Sequence, residues 1–161
     1  MRPYQLFAAM QPEQARALLA ALEEKAPIAW AQALGLTAGA LKARPVFVKK
    51  QPPERRAELM RKALSRVASS PIAEEMLAVY FLDCRNELLV DWLDRIGVEH
   101  EKGTLAGDPA EPPAERLAEA VAGFREAAAG AADRADRELL LRAFAAQGSI
   151  EWPALERLLA G

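Results

Sequence analysis

Residues 71–96, PIAEEMLAVYFLDCRNELLVDWLDRI, decide which fold the sequence predicts. Ser70 and Pro71 form a pair that is typical of a helix start, and Gly97 is typical of a helix end. Between them, apolar side chains occupy most of the helix circumference, which is expected only where protein surrounds the helix. We therefore predict one long central helix over residues 71–96, spanning about 39 Å.

The rest of the chain is also predicted to be helical. Ala, Leu, Glu and Arg are abundant, β-branched residues are sparse, and aromatic residues make up only 6% of the 161 residues. Prolines mark helix starts along the chain, at Pro12, Pro27, Pro53, Pro113 and Pro153. The prediction is an all-α fold, an irregular bundle of about six or seven helices packed around residues 71–96. These helices are expected to form a single domain, residues 1–161.

Two segments break the helical pattern. Residues 98–112, VEHEKGTLAGDPAEP, are predicted to form an irregular connection between the N-terminal and the C-terminal helices. Within them, EKGT could instead close a very short hairpin with Gly103 in the left-handed conformation. Residues 45–53, PVFVKKQPP, are predicted to form a loop or a briefly extended segment.

The single cysteine and the single histidine offer little for catalysis. Cys84 would lie among leucines on the central helix, where we expect a buried and unreactive thiol. His100 stands between Glu99 and Glu101, so we expect a solvated side chain. Structural zinc needs four nitrogen or sulfur ligands, and this chain has one cysteine and one histidine. The sequence also has no phosphate-binding glycine loop and no nucleophile motif. We predict no metal, no cofactor and no catalytic residue, with an enzyme lacking a recognisable motif as an alternative.

Charge is unevenly distributed along the chain. Residues 1–41 are neutral overall, residues 42–66 carry nine positive and two negative side chains, and residues 67–161 carry nine positive and eighteen negative ones. The basic segment supplies a candidate interaction surface, which consists of Lys42, Arg44, Phe47, Lys49, Lys50, Arg55, Arg61, Lys62 and Arg66. The central helix supplies a candidate acidic ridge at helical spacing, which consists of Asp83, Glu87, Asp91 and Asp94.

This charge asymmetry has three interpretations. The basic and acidic faces could simply be solvated, or the basic segment could bind an acidic partner, either another protein or the ridge of a second copy. It could also bind nucleic acid, with Phe47 as a stacking residue among cations. A net charge of −2 and a pI near 5.6 argue against nucleic acid.

The expected function is therefore protein–protein interaction or self-assembly without catalysis, and a homodimer is one form such assembly could take. Weak nucleic-acid binding through residues 42–66 is the alternative. We expect a cytoplasmic protein without a membrane partner. The N-terminal sequence lacks a signal peptide, one cysteine cannot form an intramolecular disulfide, and no apolar run is long enough to span a bilayer.

Overall fold

The computed structural model describes all residues, Met1–Gly161, and it consists of ten α-helices and one two-stranded hairpin. The predicted all-α fold is confirmed. Contacts group the chain into two compact units, Met1–Cys84 and Arg85–Gly161, and the single domain over residues 1–161 stays a prediction. None of the helices has the length and apolar character needed to cross a membrane.

The first unit contains six α-helices, each with proline at its first or second position. They are α1 (Pro3–Ala9), α2 (Pro12–Lys25), α3 (Pro27–Ala40), α4 (Pro45–Lys49), α5 (Pro53–Leu64) and α6 (Ser70–Val79). Helix α5 packs against α1, α2 and α3, and α1 packs against α6. The largest fully buried side chains of this unit are Phe7, Leu18, Leu22, Met60, Leu64 and Met76.

Helix α4 corrects the prediction of a loop or extended segment for residues 45–53. Pro45 presets the backbone angle of a first helical residue, and Val48 is completely buried on the inner side of this short helix. The chain has ten helices, whereas six or seven were predicted. The difference arises because α1 and α4 are too short to show a helical repeat in the sequence, and because the predicted central helix is interrupted.

The second unit contains α7 (Asn86–Ile96), the hairpin strands β1 (His100–Glu101) and β2 (Thr104–Leu105), α8 (Ala114–Glu126), α9 (Ala131–Ala146) and α10 (Pro153–Ala160). Its core is aromatic. The ring of Trp92 lies 5.5 Å from that of Phe124 and 5.8 Å from that of Phe144, and Phe144 lies 5.1 Å from Trp152. Leu88 and Trp92 are buried, as the apolar circumference of residues 71–96 predicts.

The prediction of one continuous helix over residues 71–96 is wrong in its middle. Helix α6 ends at Val79, a π-helical turn follows at Tyr80–Cys84, and Arg85 has a non-helical backbone conformation with φ −131° and ψ 45°. Helix α7 then begins at Asn86. A π turn holds more residues than an α turn, so positions before and after it no longer share one helical repeat.

The hairpin alternative for residues 98–112 is confirmed at residues 100–105. His100 pairs with Leu105 and Glu101 with Thr104, which leaves a two-residue turn. Both turn residues, Lys102 and Gly103, have positive φ, as a type I′ hairpin turn requires. The tip of the hairpin is fixed because the side-chain amide of Asn86 donates to the Lys102 carbonyl at 2.8 Å.

Candidate interaction surface

Several exposed apolar side chains lie in one short segment of the first unit. All seven large apolar side chains that are well exposed belong to that unit: Met1, Ile28, Leu41, Val46, Phe47, Val67 and Leu82. Three of them lie within residues 41–50, the segment from the end of α3 to the end of α4, which we call the α3–α4 corner. The corner also carries four exposed cations and no carboxylate; the cations are Lys42, Arg44, Lys49 and Lys50.

The backbone reverses sharply at the end of α3. The N–H of Ala43 donates to the carbonyl of Ala38 at 2.9 Å, and the N–H of Lys42 donates to that of Gly39 at 3.2 Å. This bond pattern is the Schellman motif, and it places Lys42 in the left-handed conformation with φ 53°. A side chain in that conformation costs about 1 kcal/mol relative to glycine, so a lysine is held here at some cost in stability.

Helix α4 is anchored on its inner side and open on its outer side. Val48 is fully buried, whereas Val46 and Phe47 are 52% and 50% exposed. The Phe47 carbonyl accepts a hydrogen bond from the Gln51 side chain at 3.3 Å, and the Lys49 carbonyl accepts one from Arg56 Nη1 at 3.2 Å. The corner is therefore a preformed surface on which an adjacent aliphatic and aromatic pair faces solvent.

Arg56 fixes this arrangement from α5, a role that the sequence did not reveal. Besides its bond to α4, its guanidinium lies 5.5 Å from the centre of the Trp30 ring and 3.3 Å from a carboxylate oxygen of Glu23. These residues line a shallow groove of about 180 Å³ between α2, α3 and α5. The corner and this groove thus share Arg56 as a common support.

The predicted basic residues fall into two groups. Lys42, Arg44, Phe47, Lys49 and Lys50 lie in the corner. The other four, Arg55, Arg61, Lys62 and Arg66, lie on α5 or directly after it. Of these four, Arg55, Lys62 and Arg66 are exposed and Arg61 is not.

Arg61 is a structural residue of the first unit. It forms a two-bond ion pair with Glu58, at 2.7 and 2.9 Å, and it donates to the carbonyls of Phe7 and Ala8 at the end of α1. The hydrogen bond to Glu58 raises the pKa of Arg61, and the same bond lowers the pKa of Glu58. Its side chain is therefore occupied within the chain, unlike its neighbour Lys62.

The acidic ridge is not a continuous unpaired face. Asp83 lies in the π turn of the first unit and is exposed, whereas the other three carboxylates belong to α7. Glu87 accepts a hydrogen bond from Arg85 at 2.8 Å, and Asp94 accepts one from His100 Nε2 at 2.7 Å. Asp91 accepts from both Arg95 and Arg137, at 2.9 and 3.0 Å.

Asp91 belongs to a partly buried ion network that connects α7 with α9. The Arg137 guanidinium donates to Asp91, to Asp133 and to the Phe124 carbonyl, and it lies 4.7 Å from the centre of the Phe124 ring. Arg85 donates to Asp133 and to Asp136 of α9. Sequence reasoning missed this network because Arg85 and Asp91 lie about 50 residues before their partners in α9. Only Asp133 and Arg137 are related by a local spacing, four residues apart on α9.

Asp133 has a strongly lowered pKa. The backbone N–H of Ala129 and the guanidinium groups of Arg137 and Arg85 lower the pKa of Asp133 to about 2, although burial acts in the opposite direction. Every charged group of the network has a partner of opposite charge. Such a satisfied cluster holds helices in place, and it leaves no group directed at a ligand.

Cys84 is less buried than the sequence predicts, and His100 is more buried. Cys84 is half-buried, and burial, followed by the negative charge of Asp83, raises the pKa of its thiol. The prediction of a solvated His100 is wrong, because its side chain is only 11% exposed. Its Nδ1 accepts the Gly103 N–H at 3.0 Å, so Nε2 carries the proton that is donated to Asp94. No group of three or more His, Cys, Asp or Glu residues could hold a metal ion.

Comparison with known proteins adds no relative. No protein-family model matches the sequence, and neither the curated proteins nor the solved structures contain a significant match to it.

Proposed function

We propose that this chain is a non-catalytic helical protein that acts through protein–protein interaction, and that the α3–α4 corner is its contact surface. The observation that carries the proposal is the half-exposed pair Val46 and Phe47 on a helix whose other side is fixed by Val48 and Arg56. The cytoplasm, where a lone thiol stays reduced, is the proposed location.

The corner offers exposed apolar surface on a backbone that is already rigid. Covering the exposed half of Phe47 would contribute on the order of 1 kcal/mol, because burial of a whole phenylalanine contributes about 1.5–3 kcal/mol. Little ordering cost would offset this gain, since the α4 backbone is already held by side chains of neighbouring elements. An apolar centre with a charged border is also the usual composition of protein interfaces.

A second candidate function is weak binding of single-stranded nucleic acid. It is favoured by one observation, the exposed Phe47 ring in a segment with Arg44, Lys49 and Lys50. However, Phe47 is the only well-exposed aromatic ring in the chain, whereas single-strand binders stack successive bases on several rings. The other exposed apolar side chains of the corner, Leu41 and Val46, are aliphatic and fit an apolar side chain better than a base.

Site-specific photocrosslinking tests the proposal in cells. A benzophenone amino acid replaces Phe47 in one version of the full chain and Ile28 in another. Ile28 is a matched control because it belongs to the same unit and is 87% exposed, but it lies outside the corner. The proposal predicts a protein adduct from position 47 that position 28 does not give.

The crosslinked protein is then identified, purified and titrated with the unlabelled chain. Phe47→Ser should weaken binding by about tenfold, as expected for a central aromatic contact, and Ile28→Ser should not change the affinity. The same adducts from both positions, or no adduct from position 47, would contradict the proposed contact surface.

A further inference from the structure

We infer that the partner of the α3–α4 corner is an acidic segment of a different protein that carries a large apolar side chain between its carboxylates. This inference rests on the proposed function and specifies its partner. The charge of the corner supports it: four exposed cations lie within residues 42–50, and the nearest carboxylate in the sequence is Glu54. An exposed surface of one sign attracts the opposite charge and steers its approach.

The order of residues in the corner indicates how the partner's groups are arranged. Two cations, Lys42 and Arg44, precede the apolar pair, and two more, Lys49 and Lys50, follow it. A segment whose apolar side chain covers Val46 and Phe47 would therefore meet positive charge on both sides of that contact. Carboxylates before and after the apolar residue satisfy both groups of cations.

A second copy of this chain does not meet this requirement. Its first unit exposes apolar side chains but has a net charge of +4, from twelve positive and eight negative side chains, and would repel the corner. Its second unit has a net charge of −6, from nine positive and fifteen negative side chains, and could attract the corner electrostatically. None of its large apolar side chains is well exposed, however, so it has nothing to cover the pair at Val46 and Phe47. Its ridge carboxylates Glu87, Asp91 and Asp94 are already bound to Arg85, Arg95, Arg137 and His100.

Selection from a random displayed peptide library tests the inference without assuming a sequence. The full chain is the target, and peptides that also bind the Phe47→Ser variant are removed. We expect the remaining peptides to be rich in Asp and Glu and to contain at least one aromatic or large aliphatic residue. A synthetic peptide of the enriched sequence should lose at least tenfold in affinity when its apolar residue is replaced by serine.

Charge reversal tests directly whether the positive charge of the corner determines which peptides bind. The variant K49E/K50E should bind the acidic peptide at least tenfold more weakly and should select basic peptides that keep the apolar residue. K62E/R66E makes the same change in net charge at exposed positions outside the corner, and its affinity should stay within about threefold of that of the unmodified chain.

The outcomes separate this inference from the proposed function. Enriched peptides whose binding depends on Phe47 but which are neutral or basic would overturn the inference of an acidic partner. The proposed contact surface would still stand. If no selected peptide requires Phe47 for binding, both the proposed contact surface and the acidic partner are refuted. Sub-micromolar binding of a labelled single-stranded oligonucleotide at physiological salt, or sedimentation of a complex between copies that Phe47→Ser abolishes, would also overturn the inference.

Discussion

Asp133→Asn is expected to destabilise the second unit in a pH-dependent way. The Asp133 carboxylate accepts hydrogen bonds from the Ala129 backbone and from Arg137 and Arg85, and its pKa falls from an ordinary value of 3.8 to about 2. If the unfolded chain keeps the ordinary value, this difference corresponds to about 2 kcal/mol of stability at neutral pH. The substitution keeps the size of the side chain and removes its charge.

The direction of the pH dependence follows from the lowered pKa. Folding favours the ionised carboxylate, so the stabilisation is fully present above the unfolded value and is lost as the pH falls through the folded value. At pH 3 about half of it remains. The difference in unfolding free energy between the unmodified chain and Asp133→Asn should therefore shrink from about 2 kcal/mol at pH 7 to about 1 kcal/mol at pH 3.

Urea denaturation followed by tryptophan fluorescence measures this difference. A Trp30→Phe background leaves only Trp92 and Trp152, so the signal reports on the second unit. Asp108→Asn is a matched control, because Asp108 is an exposed carboxylate in the connection between β2 and α8, and its loss should stay below about 0.5 kcal/mol. Equal losses for Asp133→Asn at pH 7 and pH 3, or no loss at pH 7, would refute the reasoning.

Three further predictions concern stability and reactivity. Leu88→Ala should lower the unfolding free energy by about 2–5 kcal/mol in the same assay, and a loss under about 0.5 kcal/mol would contradict its buried position. Gly103→Ala should cost about 1–2 kcal/mol because φ is +94° and a Cβ would lie 2.9 Å from Leu89 Cδ2, whereas Gly107→Ala meets no neighbouring atom and should be nearly neutral. A thiol reagent should modify Cys84 more slowly in the native protein at neutral pH than in denaturant, because burial raises the pKa of the thiol, and equal rates would be inconsistent with this environment.

The helix starts and the hairpin turn could be predicted because each depends on residues that are adjacent in the sequence. Proline restricts its own backbone angle wherever it occurs, so Pro12, Pro27, Pro53 and Pro153 mark helix starts regardless of what packs around them. Positive φ at a two-residue hairpin turn is similarly a local requirement, and Gly103 satisfies it. For the same reason, the all-α class could be predicted without any knowledge of packing.

The interruption at Arg85 could not be predicted in this way. No proline or glycine stands between Pro71 and Gly97, so this stretch contains neither of the two strongest helix breakers. The guanidinium of Arg85 is instead bound by Asp133 and Asp136, which follow about 50 residues later. Tertiary contacts of this kind override local propensity, and a single sequence gives no indication of them.

The candidate surface shows the same limit at the level of single residues. Val46, Phe47 and Val48 are all apolar, and only the packing of α4 decides that Val48 is buried while the other two are exposed. Arg61 and Lys62 are adjacent cations, yet the carbonyls at the end of α1 bind only the first of them. Charge counting therefore could not separate the structural cations of the basic segment from its exposed ones.

The division into two contiguous units also bears on how the chain is synthesised. All contacts within Met1–Cys84 join residues that have left the ribosome before the second unit is complete, so the first unit can fold while translation continues. At that stage the emerged chain carries twelve positive and eight negative side chains, a net charge of +4, and all 161 residues together carry −2. The net charge of the nascent chain therefore changes sign during synthesis of the acidic second unit.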